Sequence, residues 1–374
     1  LYGSVSRLET YAACAYRHFL QYGMQLKERE EFEFESVDMG NVFHGVLETF
    51  SHKLEESDYT WFDFPENFAR ETVKEALSLY AAEYKETVLY ASARNEYVIK
   101  RMNRILDRTV LTLQYQLRKG SFRPENYEFS FEKVSELAHV SVALSQEERM
   151  KLVGRIDRID TCQEQDRLYV KIVDYKSGSR NFDLAALYYG LQLQLVVYMN
   201  AAMEREKKLH PDMEVIPAAM LYYHVADPAV ETQEELTPEE IDEKLRETLR
   251  ANGVVSSEEE IVKRLDGEAE TKSDVIPIEY KKDGTLSSRS SVMSREELAD
   301  ISAYVNKKVR DFGREILDGR METAPYERGN ENACTYCSFA GVCGFEAGTP
   351  GYHYRRLKTM ENEEIMETIR KELQ

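Results

Sequence analysis

Three cysteines lie within the ten residues CTYCSFAGVC near the end of the chain, at Cys334, Cys337 and Cys343. In a reducing compartment a C-x2-C-x5-C cluster is typical of a metal site and not of disulfides. Three thiolates leave one ligand position open. Cys14, in LETYAACAYRHFL near the other end of the chain, is the better candidate, and Cys162, in the predicted hairpin turn TCQEQD, is the poorer one. With Cys14 as a ligand, the metal joins the two ends of the fold.

The chain has 374 residues, of which 42% are hydrophobic, which is enough for a sizeable core. It begins at Leu1 without a charged-then-apolar leader, so we expect a fragment of a longer polypeptide whose remainder precedes Leu1. No apolar run approaches the roughly 20 residues of a membrane span. We therefore expect a cytoplasmic protein that does not enter a membrane.

A formal net charge of −19 argues at first against nucleic acid, because Lys and Arg drive phosphate binding. However, fifteen acids and six bases lie between Glu231 and Asp274, which predicts an acidic insertion of solvated helices at 231–274. Basic residues gather instead in RNEYVIKRMNRILDR (Arg94–Arg108). This stretch predicts a helix whose basic side is either a phosphate-facing stripe or a solvated face.

Hydrophobic periodicity predicts an α/β sandwich, with a sheet of consecutive strands embedded in helices. Predicted helices span residues 6–25, 42–54, 68–117, 184–205 and 295–317; predicted strands span residues 127–132, 138–144, 151–160, 168–175 and 218–225. We expect four regions. They are a helical segment with the first cysteine (1–125), a core (126–230), the acidic insertion (231–274), and C-terminal helices with the cysteine cluster (275–374).

The strand IVDYKSG places Asp174 and Lys176 on one face and Tyr175 on the other. Alone, this Asp-x-Lys pair would be read as a surface ion pair. The preceding strand, LVGRIDRID, brings Asp157 alongside, with Asp160 as a rival because the register cannot be read from sequence. Two neighbouring carboxylates repel each other, and a hard divalent cation such as Mg²⁺ removes that repulsion.

Two further polar features flank these strands. His44 lies in MGNVFHGVLETF, where a lone histidine is typically a satisfied core residue. Gln194 and Tyr198 lie in LQLQLVVYM, one helical turn apart and so on one face, where they could be the polar edge of a core helix. Taken together and in this order, these elements favour a shared site.

The ordered set resembles the PD-(D/E)XK nuclease superfamily, and within it the RecB-like branch. The distant Cys14 with the three clustered cysteines is similar to the iron–sulfur staple of AddB-type nuclease subunits. The resemblance implies a restriction-endonuclease-like core sheet flanked by helices, with both ends joined by a [4Fe–4S] cluster on Cys14, Cys334, Cys337 and Cys343. Ala15 departs from the proline expected there, which affects local helix geometry more than ligation. A structural zinc ion on the same thiolates is the alternative.

The resemblance also assigns roles at the strand ends. Mg²⁺ or Mn²⁺ would be held by His44, Asp157, Asp174 and the carbonyl of Tyr175. Lys176 would orient or deprotonate the attacking water and stabilise the developing charge.

On the following helix, Gln194 and Tyr198 would position DNA or the lysine. The small residues Ser177 and Gly178 after the strand would let the DNA backbone approach.

The implied function is a metal-dependent deoxyribonuclease domain of a bacterial helicase–nuclease that processes double-strand breaks for recombinational repair. It would cut single-stranded DNA, the 5′-ended strand, delivered by an AddA-type helicase–nuclease subunit. Two alternatives stay open: a free-standing iron–sulfur exonuclease of the CRISPR-associated type, and a catalytically silent DNA-binding clamp with a metal staple.

Overall fold

The computed structural model describes residues 2–28, 36–83, 93–131, 141–145, 147–232 and 235–374. Its strands are β1 (Tyr2–Ser4), β2 (Arg123–Ser130), β3 (Ser141–Ala143), β4 (Arg149–Val153), β5 (Arg155–Glu164), β6 (Arg167–Lys176), β7 (Glu214–His224), β8 (Asn252–Ser256), β9 (Val292–Met293), β10 (Tyr326–Arg328), β11 (Glu331–Asn332) and β12 (Arg355–Arg356). Its α-helices are α1 (Val5–Ala13), α2 (Ala15–His18), α3 (Ser36–Glu55), α4 (Glu66–Glu83), α5 (Ala93–Arg118), α6 (Leu184–Tyr188), α7 (Gln194–Leu209), α8 (Pro238–Thr248), α9 (Glu259–Leu265), α10 (Arg295–Leu317), α11 (Ala340–Cys343) and α12 (Asn362–Leu373). A π-helical turn, Phe19–Gly23, follows α2.

The centre of the fold is a six-stranded mixed sheet in the order β2-β5-β6-β7-β8-β9. Strands β6 and β7 are parallel and are connected through α6 and α7, whereas β5 and β6 form an antiparallel hairpin. Helices α7 and α10 pack on one face of the sheet, and α3, α4 and α5 pack at the other. The expected α/β sandwich is therefore present.

Both strands of the β5–β6 hairpin are buried along most of their length; β6 is rich in apolar residues, whereas β5 buries the charged residues Asp157, Arg158 and Asp160. Arg158 pairs with Val173, and the hairpin turns at Gln165, whose φ is +51°. The turn is thus shorter than the predicted TCQEQD. Cys162 is a buried strand residue opposite Tyr169, so its interpretation as a turn residue was wrong.

The predicted strand 151–160 is two strands, β4 and β5, separated at Gly154. A Cβ atom at Gly154 would lie 2.4 Å from the ring of Phe131, so only glycine fits here. The break lets β4 leave the central sheet and join β1 and β3 in a small separate sheet.

Two predicted helices are interrupted. The N-terminal one stops at Cys14, whose backbone is extended (φ −163°, ψ 115°), before α2 begins. The helix predicted over 184–205 is divided into α6 and α7 around Gly190, whose φ of +80° suits glycine. In contrast, α10 spans the predicted residues 295–317.

The acidic segment 231–274 is more than a pair of solvated helices. Helix α8 has no buried residue, as expected. However, β8 pairs with β7 and β9 within the central sheet, and α9 buries Ile261, Val262 and Leu265. Most of the described acidic residues of this segment are exposed, although Asp266 is buried, and the segment also completes the sheet.

Parts of four predictions fall outside the described residues: the last residue of the strand 127–132, the beginning of the strand 138–144, the middle of the helix 68–117, and residues 233–234 of the acidic insertion. Within the described ranges, the strand and helix predictions correspond to β2, β3, α4 and α5. No helix in those ranges is long and apolar enough to cross a membrane.

Candidate functional site

Asp157, Asp174 and Lys176 project from the same face at the end of the β5–β6 hairpin. Because Arg158 pairs with Val173, Asp157 stands opposite Asp174, and Lys176 follows two residues later on the same face. The backbone N–H of Tyr175 donates a hydrogen bond to Oδ2 of Asp157 at 2.6 Å. This bond crosses between the strands and fixes the Asp157 carboxylate beside the Asp174–Lys176 ion pair. The ring of Tyr175 lies on the other face, where its hydroxyl accepts from Arg158 at 3.2 Å.

His44 reaches this face from α3. Its Nδ1 lies 3.3 Å from Oδ1 of Asp157 and 3.5 Å from Oε1 of Glu128. Burial alone would lower the pKa of His44, but the two carboxylates outweigh burial and raise it to about 10. The histidine is therefore bound to the acidic site and is not an isolated core residue.

Glu128 was not predicted from the sequence. It lies on β2 between Tyr127, which pairs with Arg158, and Phe129, which pairs with Ile156, so it stands opposite Asp157. Its φ of +48° is uncommon for a residue with a side chain. Burial, the largest effect, raises the pKa of Glu128, and the hydrogen bond with His44 offsets only part of that rise. The sequence does show an acidic residue in a predicted strand that precedes β5. Only the β2–β5 register, however, shows that Glu128 lies opposite Asp157.

Asp174 is almost fully buried, with a side chain 2% exposed. Burial first, and then the nearby charge of Asp157, raise the pKa of Asp174 to about 7 despite the ion pair with Lys176. Gln194 Nε2 donates to Oδ1 of Asp174 at 2.9 Å and lies 3.1 Å from the Tyr198 hydroxyl. The structure thus brings both residues of the Q-x-x-x-Y pair to the aspartate.

Asp160 is not part of this site. It lies on the opposite face of β5, fully buried, where Arg158 Nε and Lys171 Nζ are each 2.8 Å from its carboxylate. Burial would raise the pKa of Asp160, but the two cations outweigh it and hold the pKa below its ordinary value. Because side chains alternate between the two faces of a strand, Asp160 cannot take the place of Asp157 in the acidic site.

The acidic site fits a hard divalent cation. The ligand atoms of His44, Glu128 and Asp157 all lie within 4.8 Å of one another, and no other such set of three or more occurs among the described residues. With Asp174 beside them, three carboxylates and one imidazole converge, a donor set that suits Mg²⁺ or Mn²⁺. A cation would also offset the repulsion between the buried carboxylates.

The cysteines form a second site away from the sheet. Cys14, Cys334, Cys337 and Cys343 line one cavity of about 50 Å³. Its other lining residues are largely apolar and include Leu20, Phe339 and Phe345. Within the described part of the chain, the four sulfurs do not form a set as compact as that of His44, Glu128 and Asp157. Burial raises the pKa of the Cys14 and Cys334 thiols.

Cys162 is remote from this cavity. It packs in a different hydrophobic cluster, with Phe122 and Tyr169, on the sheet. The structure therefore places Cys14 with the three clustered cysteines and Cys162 elsewhere.

The model of the PD-(D/E)XK nuclease superfamily matches residues 3–344. Among curated relatives, the B subunit of an ATP-dependent helicase/deoxyribonuclease from Lachnoclostridium phytofermentans is 43% identical over 100% of this chain and 32% of its own length. Proteins of the same name from Clostridium kluyveri and a Thermoanaerobacter species are 33% and 34% identical, each over 99% of this chain and 32% of its own length. The chain spans about a third of the length of the curated relatives it matches.

Proposed function

Because this chain belongs to the PD-(D/E)XK nuclease superfamily, we propose that it hydrolyses DNA phosphodiester bonds at the site formed by His44, Glu128, Asp157, Asp174 and Lys176. The observation that carries the proposal is the convergence of His44, Glu128 and Asp157 on one point next to the Asp174–Lys176 pair. The expected alternative of a catalytically silent clamp has no use for such a buried carboxylate set.

His44, Glu128, Asp157 and Asp174 would hold Mg²⁺ or Mn²⁺, with the Tyr175 carbonyl as a further proposed ligand. A divalent cation there supplies Lewis-acid stabilisation of the charge that develops on the phosphate oxygens. The protein's own contribution is orientation. The Tyr175 N–H holds one oxygen of Asp157 and leaves the other toward His44.

Lys176 is the general base or water-orienting group of the proposal. Its ammonium forms an ion pair with Asp174, and its side chain is 22% exposed, so it is held at the site and still accessible to solvent. A water molecule beside Lys176 and Asp174 would be directed at the phosphorus. In the same position a protonated Lys176 stabilises negative charge on the phosphate.

Gln194 and Tyr198 act on the aspartate in this proposal. Gln194 donates to Asp174 at 2.9 Å and so restricts its rotation. Tyr198 supports Gln194 at 3.1 Å. The sequence predicted that Gln194 and Tyr198 position DNA or Lys176. We propose instead that they hold the carboxylate of Asp174, which pairs with Lys176.

We also propose that Cys14, Cys334, Cys337 and Cys343 hold a [4Fe–4S] cluster. Four thiols on one largely apolar cavity support this assignment. A single zinc ion on the same four thiolates, with Zn–S bonds of about 2.3 Å, is the alternative, and the iron or zinc content of the protein distinguishes the two.

At the level of the whole protein, we propose a subunit of a cytoplasmic bacterial helicase–nuclease that processes double-strand breaks for recombinational repair. The names of the relatives support a helicase/deoxyribonuclease assembly. A helicase–nuclease partner subunit of the AddA type would deliver single strands, with the 5′-ended strand as the proposed substrate.

The proposal is tested with single-stranded DNA labelled at either the 5′ or the 3′ end. The purified protein should degrade it with Mg²⁺ or Mn²⁺ and not with EDTA, and the order in which labelled fragments appear gives the polarity. Hydrolysis that is unaffected by EDTA would contradict a metal-dependent nuclease.

A further inference from the structure

The carboxylate of Glu9, on α1, reaches the beginning of α7. Its Oε1 accepts hydrogen bonds from the backbone N–H groups of Leu193 at 2.8 Å and Gln194 at 3.2 Å. The first N–H groups of a helix have no partner within the helix, and the N-cap of α7 offers no side-chain bond. Glu9, which is 184 residues before Leu193 in the sequence, therefore caps α7. The capped end of α7 includes Gln194, the residue whose side chain donates to Asp174.

The other oxygen of the same carboxylate holds Arg180. Oε2 of Glu9 accepts from Nη2 of Arg180 at 3.1 Å, and the same nitrogen lies 3.4 Å from the carbonyl oxygen of Leu191. The backbone N–H of Arg180 donates to Nε2 of His224 at 3.0 Å. His224 is the register partner of Lys176, so Arg180 is anchored beside the catalytic strand end.

Arg180 and Lys176 lie against one aromatic ring. The guanidinium carbon of Arg180 is 5.9 Å from the ring centroid of Tyr222, and the Lys176 ammonium is 5.7 Å from it. Tyr222 is the register partner of Asp174. Its hydroxyl is buried and has no hydrogen-bond partner among the described residues. Two cations and an unsatisfied hydroxyl thus border the aspartate on the side away from His44.

The guanidinium of Arg180 keeps donors available. The side-chain hydrogen bonds found for it in the described structure all use Nη2, and the side chain is 34% exposed. A guanidinium has five N–H donors and binds phosphate with two of them in parallel. Lys176 cannot bind in this way, because it has a single ammonium group and that group is already paired with Asp174.

We propose that Arg180 binds a phosphate of the DNA strand beside Lys176, and that Glu9 is the positioning residue that holds Arg180 and the beginning of α7 in place. This inference rests on the proposed nuclease function. It assigns a second phosphate contact next to the hydrolysed bond. Through Glu9, the helix α1, whose C-cap is Cys14, contacts the site directly.

Arg180→Gln, Arg180→Lys and Glu9→Gln test the inference, with Arg295→Gln as the matched control. Arg295 is also an arginine paired with a glutamate, Glu214 at 2.7 Å, but at the opposite end of β7. Binding of a labelled single-stranded oligonucleotide is measured by fluorescence anisotropy in EDTA, over a range of salt concentrations, together with kcat and KM in Mg²⁺.

Arg180→Gln should weaken binding about tenfold, the effect of losing roughly one charge-assisted contact, and lower the magnitude of the log–log salt slope by about 0.7. Arg180→Lys should keep the slope and recover part of the affinity. Glu9→Gln should raise KM as Arg180→Gln does and also lower kcat, because its amide has only one acceptor oxygen and can no longer both cap α7 and hold Arg180. Iron content should be the same in every variant.

Equal affinity and salt slope for Arg180→Gln and Arg295→Gln would overturn the phosphate contact. Should Glu9→Gln fail to fold, the two Arg180 variants still decide the result. A wild-type protein that binds single strands but does not cleave them would count against the proposed function alone, since the anisotropy measurement needs no metal and no turnover.

Discussion

The backbone N–H of Tyr175 donates to Oδ2 of Asp157 at 2.6 Å, while Oδ1 of the same carboxylate lies 3.3 Å from His44. One strand end therefore orients the carboxylate of its neighbour. Since Asp174 and Lys176 flank Tyr175, this single bond sets the relative placement of both acids and the lysine.

Asp157→Asn should leave the fold intact, because the amide oxygen can still accept from the Tyr175 N–H. It removes one negative charge from the proposed metal site, so hydrolysis should fall roughly 100- to 1000-fold, as when a group stabilising developing charge is lost. Circular dichroism and single-strand cleavage are the two measurements. If a folded Asp157→Asn variant cleaves DNA at the wild-type rate, Asp157 is not a residue of the catalytic site.

Glu128→Gln tests the ligand that the sequence did not reveal. The side chain is buried opposite Asp157, 3.5 Å from His44 Nδ1, and a neutral amide is a weaker ligand than a carboxylate. We expect the Mg²⁺ concentration for half-maximal activity to rise about 10- to 100-fold. If the metal dependence is unchanged while the activity falls, Glu128 acts by positioning His44 and not by ligation.

Asp160→Asn should damage stability, not chemistry. Removing the buried charge between Arg158 and Lys171 leaves two buried cations without their partner and should cost about 3–5 kcal/mol of unfolding free energy. The pKa of Asp160 is lowered in the folded state, so its contribution is fully present above its unfolded pKa of about 3.9 and is lost as the pH falls through the lower, folded value.

Urea unfolding of the wild type and Asp160→Asn from pH 7 down to pH 3 measures this contribution. The difference between the two should be constant near neutral pH and shrink in acid. A difference that grows on acidification would have the wrong sign for this assignment.

Cys14→Ala and Cys162→Ala form a pair that tests the cysteine site. Cys14 lines the cavity with the clustered cysteines, so its loss should release the iron and expose α1 and the C-terminal segment to protease. A bridge over such a long loop would constrain the unfolded chain by roughly 5 kcal/mol in the entropic treatment of cross-links. Cys162 packs on the sheet, so its replacement should keep the iron. Iron loss in Cys162→Ala alone would show that the ligands are wrongly assigned.

Much of the acidic site could be predicted from strand alternation and helical spacing alone. Asp174 and Lys176 share a face because they are two residues apart, and Gln194 meets Tyr198 because they are one turn apart. Both relationships are local, because they depend only on the spacing of residues within one strand or one helix and not on the packing of distant segments.

The missed features depend on pairing between distant segments. Glu128 faces Asp157 only through the β2–β5 register and its own positive φ, neither of which has a local sequence signature. The contact of Glu9 with the beginning of α7 likewise requires that α1 be packed in place. The strand β8 inside the acidic segment was hidden because its short apolar run, NGVVS, lies among charged helices.

The decisive measurement for the nuclease assignment is cleavage of labelled single-stranded DNA in Mg²⁺ by the wild type and Asp174→Asn. The amide oxygen can still accept from Gln194, and losing a charge next to Asp157 should not destabilise the metal-free protein. We predict a folded variant that has lost roughly 1000-fold or more in rate, with Arg295→Gln cleaving at the wild-type rate. A folded Asp174→Asn variant that cleaves DNA as fast as the wild type would contradict the assignment.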